Sequence, residues 1–566
     1  MKHTCLTLVL AAAFLAAPAF AQTGEKLDRG AVALRQNDGA VYVGWRLLES
    51  DPAGVAFHVY RQTGKADAER LTADPVHDST NFVDAKTPKE GDLRYFVRAV
   101  AGKDEGPPSP AVAPADSPLG SSYLSIKLQG NYVAQKVAVA DLDGDGRYEL
   151  VIKQPDFNTD PYSAPGYWKK SEDTYKLEAY TLDGKLLWRH DMGWSIEEGI
   201  WYSPYIAYDL DGDGKAEVYC KGGEGDPRDP DGRVSTGPEW LLKIDGVTGK
   251  VVRKIPWISR DGLGDYNYFC RNQMCIAYLD GKHPYLVLER GTYKKIKLEA
   301  YDGQLNLVWK WDSGDEKEKY DSQGSHTLHA ADVNGDGCDE LVVGSCVVDH
   351  NGKGLWTLGI GHPDACYVGK IDPALPGLQI FYGIEPKQKS GAVRLVAAAT
   401  GKTLWANEEP TTHVHSQGMC GRILAEYPGQ QCYAGEKDGS QYWLYSAQGK
   451  RIGSESIGGL ATWDLWWDDD DLKEVILKDK ITKFKGAALQ SVAHHHCAVA
   501  DVLGDWREEL IACAPGELRI YTTMIPAKTR RPCLMQDRLY RNAVAIQSMG
   551  YNAPPQHSQP YTWSAP

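Results

Sequence analysis

Val137-Ala138-Val139-Ala140-Asp141-Leu142-Asp143-Gly144-Asp145-Gly146, followed by Glu149-Leu150-Val151-Ile152-Lys153, reads as an apolar strand, a turn of Asp and Gly, and a second apolar strand. The unit returns as Ile206-Ala207-Tyr208-Asp209-Leu210-Asp211-Gly212-Asp213-Gly214 with Glu217-Val218-Tyr219-Cys220-Lys221. Further copies begin near Met274, His329, Ala365, Met419, Thr462 and Cys497, which makes eight. A second hairpin follows within a unit, as at Leu182-Asp183-Gly184-Lys185-Leu186-Leu187-Trp188 and Thr400-Gly401-Lys402-Thr403-Leu404-Trp405. Two hairpins make a four-stranded blade, so the repeat predicts an all-β, eight-bladed β-propeller over residues 118–566. A β-solenoid would need shorter and more uniform repeats.

Residues 22–117 have a different texture. Val41-Tyr42-Val43-Gly44-Trp45, Ala56-Phe57-His58-Val59-Tyr60 and Tyr95-Phe96-Val97-Arg98-Ala99-Val100 alternate like strands, with turn signals such as Asn37-Asp38-Gly39 between runs. They predict a small β-sandwich similar to fibronectin type III modules, with a structural role. A stiff Pro-rich linker from Gly106 to Pro118 follows. Upstream, a charged start, the apolar run Leu6–Leu15 and Ala19-Phe20-Ala21 form an expected signal peptide over 1–21, which implies a secreted or periplasmic protein. The apolar run is too short to span a bilayer, and no other segment is apolar enough, so no membrane insertion is expected.

The formal net charge of -14 argues against nucleic acid as a partner. An acidic substrate would therefore need positive charge concentrated at its site. Of the 12 cysteines, Cys5 leaves with the signal; Cys420 and Cys432 either pair across neighbouring strands or remain buried thiols.

Three turns carry the full acidic pattern: Asp141, Asp143, Asp145 with Glu149; Asp209, Asp211, Asp213 with Glu217; and Asp332, Asn334, Asp336 with Glu340. Oxygens at every second position of a tight turn, closed by an acid eight residues on, suit the ~6–8 oxygen ligands of calcium. Several carboxylates in one turn repel each other without a cation. Several Ca2+ ions, mainly structural, are expected. Weaker turns at Asp280, Asp372 and Asp468–Asp471 are not assigned.

Register then points to an active face. Lys153 lies twelve residues after Asp141, Lys221 twelve after Asp209, and Arg290 twelve after Tyr278, the equivalent position of the third copy. That places three cations where the second strand returns to the start of the first. Eight of the 15 histidines lie on the run-ins to first strands: His326, His329, His362, His413, His415, His494, His495 and His496. The expectation is a cationic arc facing an imidazole arc around a central channel, with the acidic turns at the far end. His494, His495 and His496, then His326, His413 and His415, are the candidate proton bases, since neutral imidazole suits proton abstraction. No pair of carboxyl groups, as a glycoside hydrolase needs, is apparent on that face.

Several segments resemble the rhamnogalacturonan lyases of polysaccharide lyase family 11. They are Asp141–Gly146, Ala277–Lys282, Arg290-Gly291-Thr292-Tyr293, Ala331–Gly337, Leu503-Gly504-Asp505-Trp506-Arg507-Glu508-Glu509 and Tyr551–Gln556. The resemblance covers about 118–556, and the Leu503–Glu509 and Tyr551–Gln556 segments are its most specific parts. Where family members usually carry Asn-Gly-Thr-Lys before the Leu503–Glu509 motif, this chain has Ser491-Val492-Ala493-His494-His495-His496. The resemblance implies β-elimination on an acidic pectic polysaccharide; Lys153, Lys221 and Arg290, from their shared register, and Arg507 are the candidate substrate-binding cations. With the expected signal peptide, the reading is a secreted lyase, expected to be a monomer. Another uronate polymer as substrate, or a non-catalytic carbohydrate-binding or adhesion propeller, are the alternative readings.

Overall fold

A computed structural model describes residues 24–88, 91–116, 122–415, 418–458, 462–551 and 553–559. The expected signal peptide, 1–21, lies outside the described residues, as does the end of the linker.

The N-terminal part holds two antiparallel sheets. One is three-stranded (Val32–Arg35, Val41–Gly44, Asn81–Asp84); the other centres on Ala56–Thr63 paired with Leu93–Ala101. Trp45, Phe57, Val59, Tyr95 and Val97 fill the space between them as one apolar cluster.

Beyond it, eight four-stranded antiparallel sheets follow one another among the described residues. In sheet one the order is Lys136–Ala140, Glu149–Gln154, Lys176–Tyr180, Leu186–Asp191. The first strands of sheets two to eight are Tyr205–Tyr208, Asn272–Ala277, Gly324–Ala331, Pro363–Gly369, Met419–Gly421, Asp464–Leu465 and His495–Ala500. These first strands are almost wholly buried, because both faces are covered by neighbouring sheets. The first strand of sheet eight packs back on that of sheet one. Sheet eight takes its fourth strand, Tyr123–Lys127, from the start of the chain, with Ile126 opposite Leu518.

The helix Arg538–Ile546 packs against the first strands of sheets one to four and eight. It is capped by Asp537, whose carboxylate accepts from the N–H of Leu539 and Tyr540. The expected central channel is thus filled at this level by a helix. Cys420 and Cys432 are opposite one another as free, buried thiols, with Sγ atoms 3.8 Å apart. No helix among the described residues is long and apolar enough to cross a membrane.

Candidate active site and acidic turns

A cleft of about 520 Å³ opens where the first strands of sheets three to six begin. Asp364 is the second residue of the first strand of sheet five, and Glu385 directly follows the second strand of that sheet. His326 lies in the first strand of sheet four, and His362 immediately precedes that of sheet five. His413 and His415 are held by the bridge of Val414 to Glu436: the His413 N–H donates to Glu436 Oε2 at 2.7 Å and the His415 N–H to the Gly435 carbonyl at 3.1 Å.

These side chains converge on two carboxylates. Asp364 Oδ1 is 3.2 Å from His362 Nε2 and 3.4 Å from His326 Nε2, while Oδ2 makes ion-pair contact with His415 Nδ1. Glu385 Oε1 is 2.8 Å from His413 Nε2, and Oε2 is 3.8 Å from His362 Nε2. The ligand atoms of Asp364, Glu385, His413 and His415 lie within 4.8 Å of one another, as do those of His326, His362 and Asp364. Burial, reinforced by His362, pushes His326 well below the usual imidazole range, so it is neutral at pH 7. Burial opposes ionisation of Asp364 as well, yet hydrogen bonds from His362 and His415 and the nearby His326 hold its carboxyl below the ordinary range.

The donor set fits a divalent cation. His362 Nδ1 donates to the Gly324 carbonyl, so its Nε2 faces the oxygens of Asp364 and Glu385 as a donor when the ring is doubly protonated and as a ligand lone pair when a cation lies between them. Lone pair against carboxylate is stable only with positive charge between them, and imidazole with carboxylate is a common divalent-metal set.

Around this floor stand Arg271, Lys294 and Lys437, and the phenols of Tyr162, Tyr167, Tyr268, Tyr293 and Tyr551. Tyr293 OH is 3.1 Å from His326 Nε2. Arg271 is committed to Asp160 (3.0 Å) and Asn267 (3.0 Å), leaving Lys294 and Lys437 as the more adaptable cations. Asp364 and Glu385 correct the expectation that this face has no carboxyl pair. They escaped notice because neither sits in an acidic motif; the His362-x-Asp364 spacing was the available signal.

The cationic arc is also corrected. Lys153 is fully buried, donates to the Ser203 carbonyl and hydroxyl at 3.0 and 2.9 Å, and lies over the rings of Tyr175 and Tyr205. Lys221 and Arg290 share Glu239, at 2.8 Å and 2.6 Å, and Arg290 also caps the carbonyls of Phe269 and Ile258. Burial would raise the Glu239 carboxyl, but the two cations hold it at about 2. Arg507 is buried between Asp505 and the Tyr42 hydroxyl, joining sheet eight to the N-terminal sheets. All four cations are internal struts: Lys153, Lys221 and Arg290 sit on second strands covered on both faces, and Arg507 is buried in the turn before the second strand of sheet eight.

Of the eight run-in histidines, His326, His362, His413 and His415 line the cleft. His329 is a core residue bonded to the Cys366 carbonyl. His494 projects outward onto Asp479 (2.7 Å), His495 faces Asp156 (3.2 Å), and His496 turns edge-on to Trp463, where burial lowers it to about 4. None of the last three, the leading candidate bases of the sequence, lines this cleft.

The acidic turns lie at the far end of the strands. In turn one Asp141 accepts from the N–H of Gly144 and Gly146 at 2.7 and 2.8 Å, a geometry that requires both glycines at positive φ. Carboxylate oxygens of Asp141, Asp143 and Glu149 lie within 4.8 Å of one another. Burial and the three aspartates of the turn push Glu149 up to about 8 without a cation. Turn four repeats this with Asp332, Asn334, Asp336 and Glu340, and adds His350, 3.5 Å from Glu340 Oε1. Both turns gather groups that could hold a metal ion. Turn two does not fit it in the same way, because the Lys243 ammonium is 2.9 Å from Asp211 and 2.7 Å from Glu217.

Comparison with known proteins places this architecture among the polysaccharide lyases. Residues 126–562 match the C-terminal domain of rhamnogalacturonan lyase family 11, and residues 22–115 the beta-sheet domain of rhamnogalacturonan I lyases. The chain is 38% identical over 586 residues to rhamnogalacturonan endolyase YesW of Bacillus subtilis (strain 168), covering 94% of this chain and 90% of that one. It is 34% identical over 593 residues to rhamnogalacturonan exolyase YesX of the same organism, covering 94% of each. The crystal structure of the exotype lyase YesX superposes with a TM-score of 0.88 at 32% identity, covering 97% of this chain and 98% of that one. The chain belongs to rhamnogalacturonan lyase family 11 and is a polysaccharide lyase acting on rhamnogalacturonan, a pectic polymer.

Proposed function

We propose that this lyase works at the imidazole–carboxylate cleft. The observation that carries the reading is the convergence of four imidazoles on Asp364 and Glu385, beneath a rim of phenols and lysines. β-Elimination needs the uronate carboxylate neutralised, the C5 proton removed and the C4 oxygen released. A divalent cation held by His326, His362 and Asp364 would supply electrostatic neutralisation when bound. Lys294 and Lys437 orient the acidic sugar from the rim. His413, the most exposed of the four imidazoles, takes the proton at Nδ1, and Glu385, 2.8 Å from its Nε2, steadies the imidazolium. Tyr162 and Tyr167, packed edge-to-face and each more than two-fifths exposed, offer ring faces to neighbouring sugars.

The wider reading has eight blades of a β-propeller over 118–566, a fibronectin type III-like sandwich over 22–117, and export directed by residues 1–21. Calcium in the acidic turns is structural, and the working form is a monomer. Eight consecutive four-stranded sheets, the last completed by an early strand, support the propeller.

The test is absorbance of the C4–C5 unsaturated product on rhamnogalacturonan. Asp364→Asn and His413→Ala are expected to lose it while remaining folded, with divalent-cation add-back after chelation restoring the parent enzyme. Parental rates in both variants would move the centre elsewhere, to the His495–Asp156 pair first.

A further inference from the structure

The acidic turns look alike in sequence but differ in what faces them from the third strand. Strand pairing fixes the comparison. Ten residues after the first Asp of each turn, Val151 pairs with Ala179 in sheet one, Tyr219 with Lys243 in sheet two, and Val342 with Val347 in sheet four. Only the second of these positions carries a charge. Its ammonium reaches back between Asp211 Oδ2, at 2.9 Å, and Glu217 Oε1, at 2.7 Å, and is nearly buried there. Tyr219 OH donates to the other oxygen of Glu217 at 2.9 Å, so both oxygens of the closing acid are engaged within the protein. Sheet seven reaches a similar result from another position: Lys483 contacts Asp468, Asp470 (2.7 Å) and Glu474 (3.4 Å) in its off-register turn. In turn one the guanidinium of Arg147 lies on the exposed Asp145, outside the cage of Asp141, Asp143 and Glu149.

We infer that turn two is a calcium motif whose cation has been replaced by the side chain of Lys243, and that this lysine closes a latent calcium site. A divalent ion bridging Asp211 and Glu217 and an ammonium within 3 Å of both would be like charges in mutual contact, and that repulsion excludes joint occupancy. The ammonium also costs no free ion, so sheet two keeps its turn closed where calcium is scarce, whereas turn one cannot. The inference rests on the reading of turns one and four as calcium sites.

The experiment is a count of calcium per chain after equilibrium dialysis against calcium, by elemental mass spectrometry, on the full-length protein. Lys243→Met is expected to bind one equivalent more than the parent, and Lys243→Met with Asp211→Ala to lose that extra ion. In the parent background Asp211→Ala should leave the count unchanged, whereas Asp143→Ala should lower it by one; alanine is used because asparagine, which stands at this position in turn four, still offers a ligand oxygen. In chelator, Lys243→Met should melt below the parent, and saturating calcium should close the gap. Loss of one equivalent on Asp211→Ala alone, or no gain in folded Lys243→Met, overturns the inference. The Asp211→Ala arm decides even if Lys243→Met does not fold. An unchanged count in Asp143→Ala would instead overturn the calcium reading of turn one, on which the inference rests.

Discussion

Sheets one to three and sheets four to six present different chemistry at the same end of their strands. In the first group the second strand ends in a cation: Lys153, Lys221 or Arg290. In the second group the first strands and the segments leading into them supply His326, His362, His413 and His415. Both sets lie at that end of the strands, the cations in a regular register, yet of the two only the imidazoles reach the cleft. The difference lies in the partners. Each cation is met by groups that can satisfy it completely: Ser203 and two tyrosine rings for Lys153, and Glu239 for Lys221 and Arg290. The four imidazoles share two carboxylates and keep ligand lone pairs to spare. Register alone marks a position as special; the partner count tells strut from site.

Substitutions can break the contrast. The largest effect is expected in the imidazole group: His413→Ala should reduce the rate of unsaturated product formation by ~10²–10⁴-fold, with the melting temperature nearly unchanged. Arg290→Ala should do the opposite. It leaves the carbonyls of Phe269 and Ile258 bare and Glu239 with only Lys221 and Arg260, and should cost about 2–3 kcal/mol in denaturant unfolding, with rate per folded molecule preserved. A folded, inactive Arg290→Ala would return that residue to the site. Lys153→Met is subtler, since a linear apolar chain replaces an ammonium that burial already disfavours; unfolding should shift by no more than about 1 kcal/mol.

The acidic turns sharpen the comparison through pH. Without a cation, Glu149 is raised to about 8 and Glu340 to about 7, both mainly by burial. A carboxyl raised on folding holds its proton more tightly in the folded state. Its contribution is therefore complete below the unfolded value of about 4.5 and is lost as pH climbs through 7 to 8. In chelator the melting temperature should fall across that interval, and calcium should flatten the slope. A pH-independent melt in chelator would remove these two carboxyls as the cause.

Much of the fold was legible because its signals are local. The period-two strands, the Asp-Gly turns and the starts of the eight copies can all be read within ten or so residues. The site was legible only in half. His326, His413 and His415 were found by their position before first strands, whereas Asp364, Glu385 and Arg271 carry no motif and meet only when distant turns are brought together. The error over Lys153, Lys221 and Arg290 has one origin: sequence shows the end of a strand but not whether the next sheet covers it. Lys243 was missed for the same reason, since its partners, Asp211 and Glu217, come from a different hairpin.

The strand Tyr123–Lys127 has a bearing on how the molecule comes into being. Its partner lies some 392 positions away, since Ser125 meets Glu517. On the ribosome this strand leaves the tunnel among the first parts of the chain and waits, edge bare, until nearly everything else has been made. The last sheet is therefore the clasp of the whole, fastened by the newest residues onto the oldest. Chains that stop short of residue 517 would lack the clasp, and an opened circle of sheets with a bare strand edge is a natural target for chaperones and proteases.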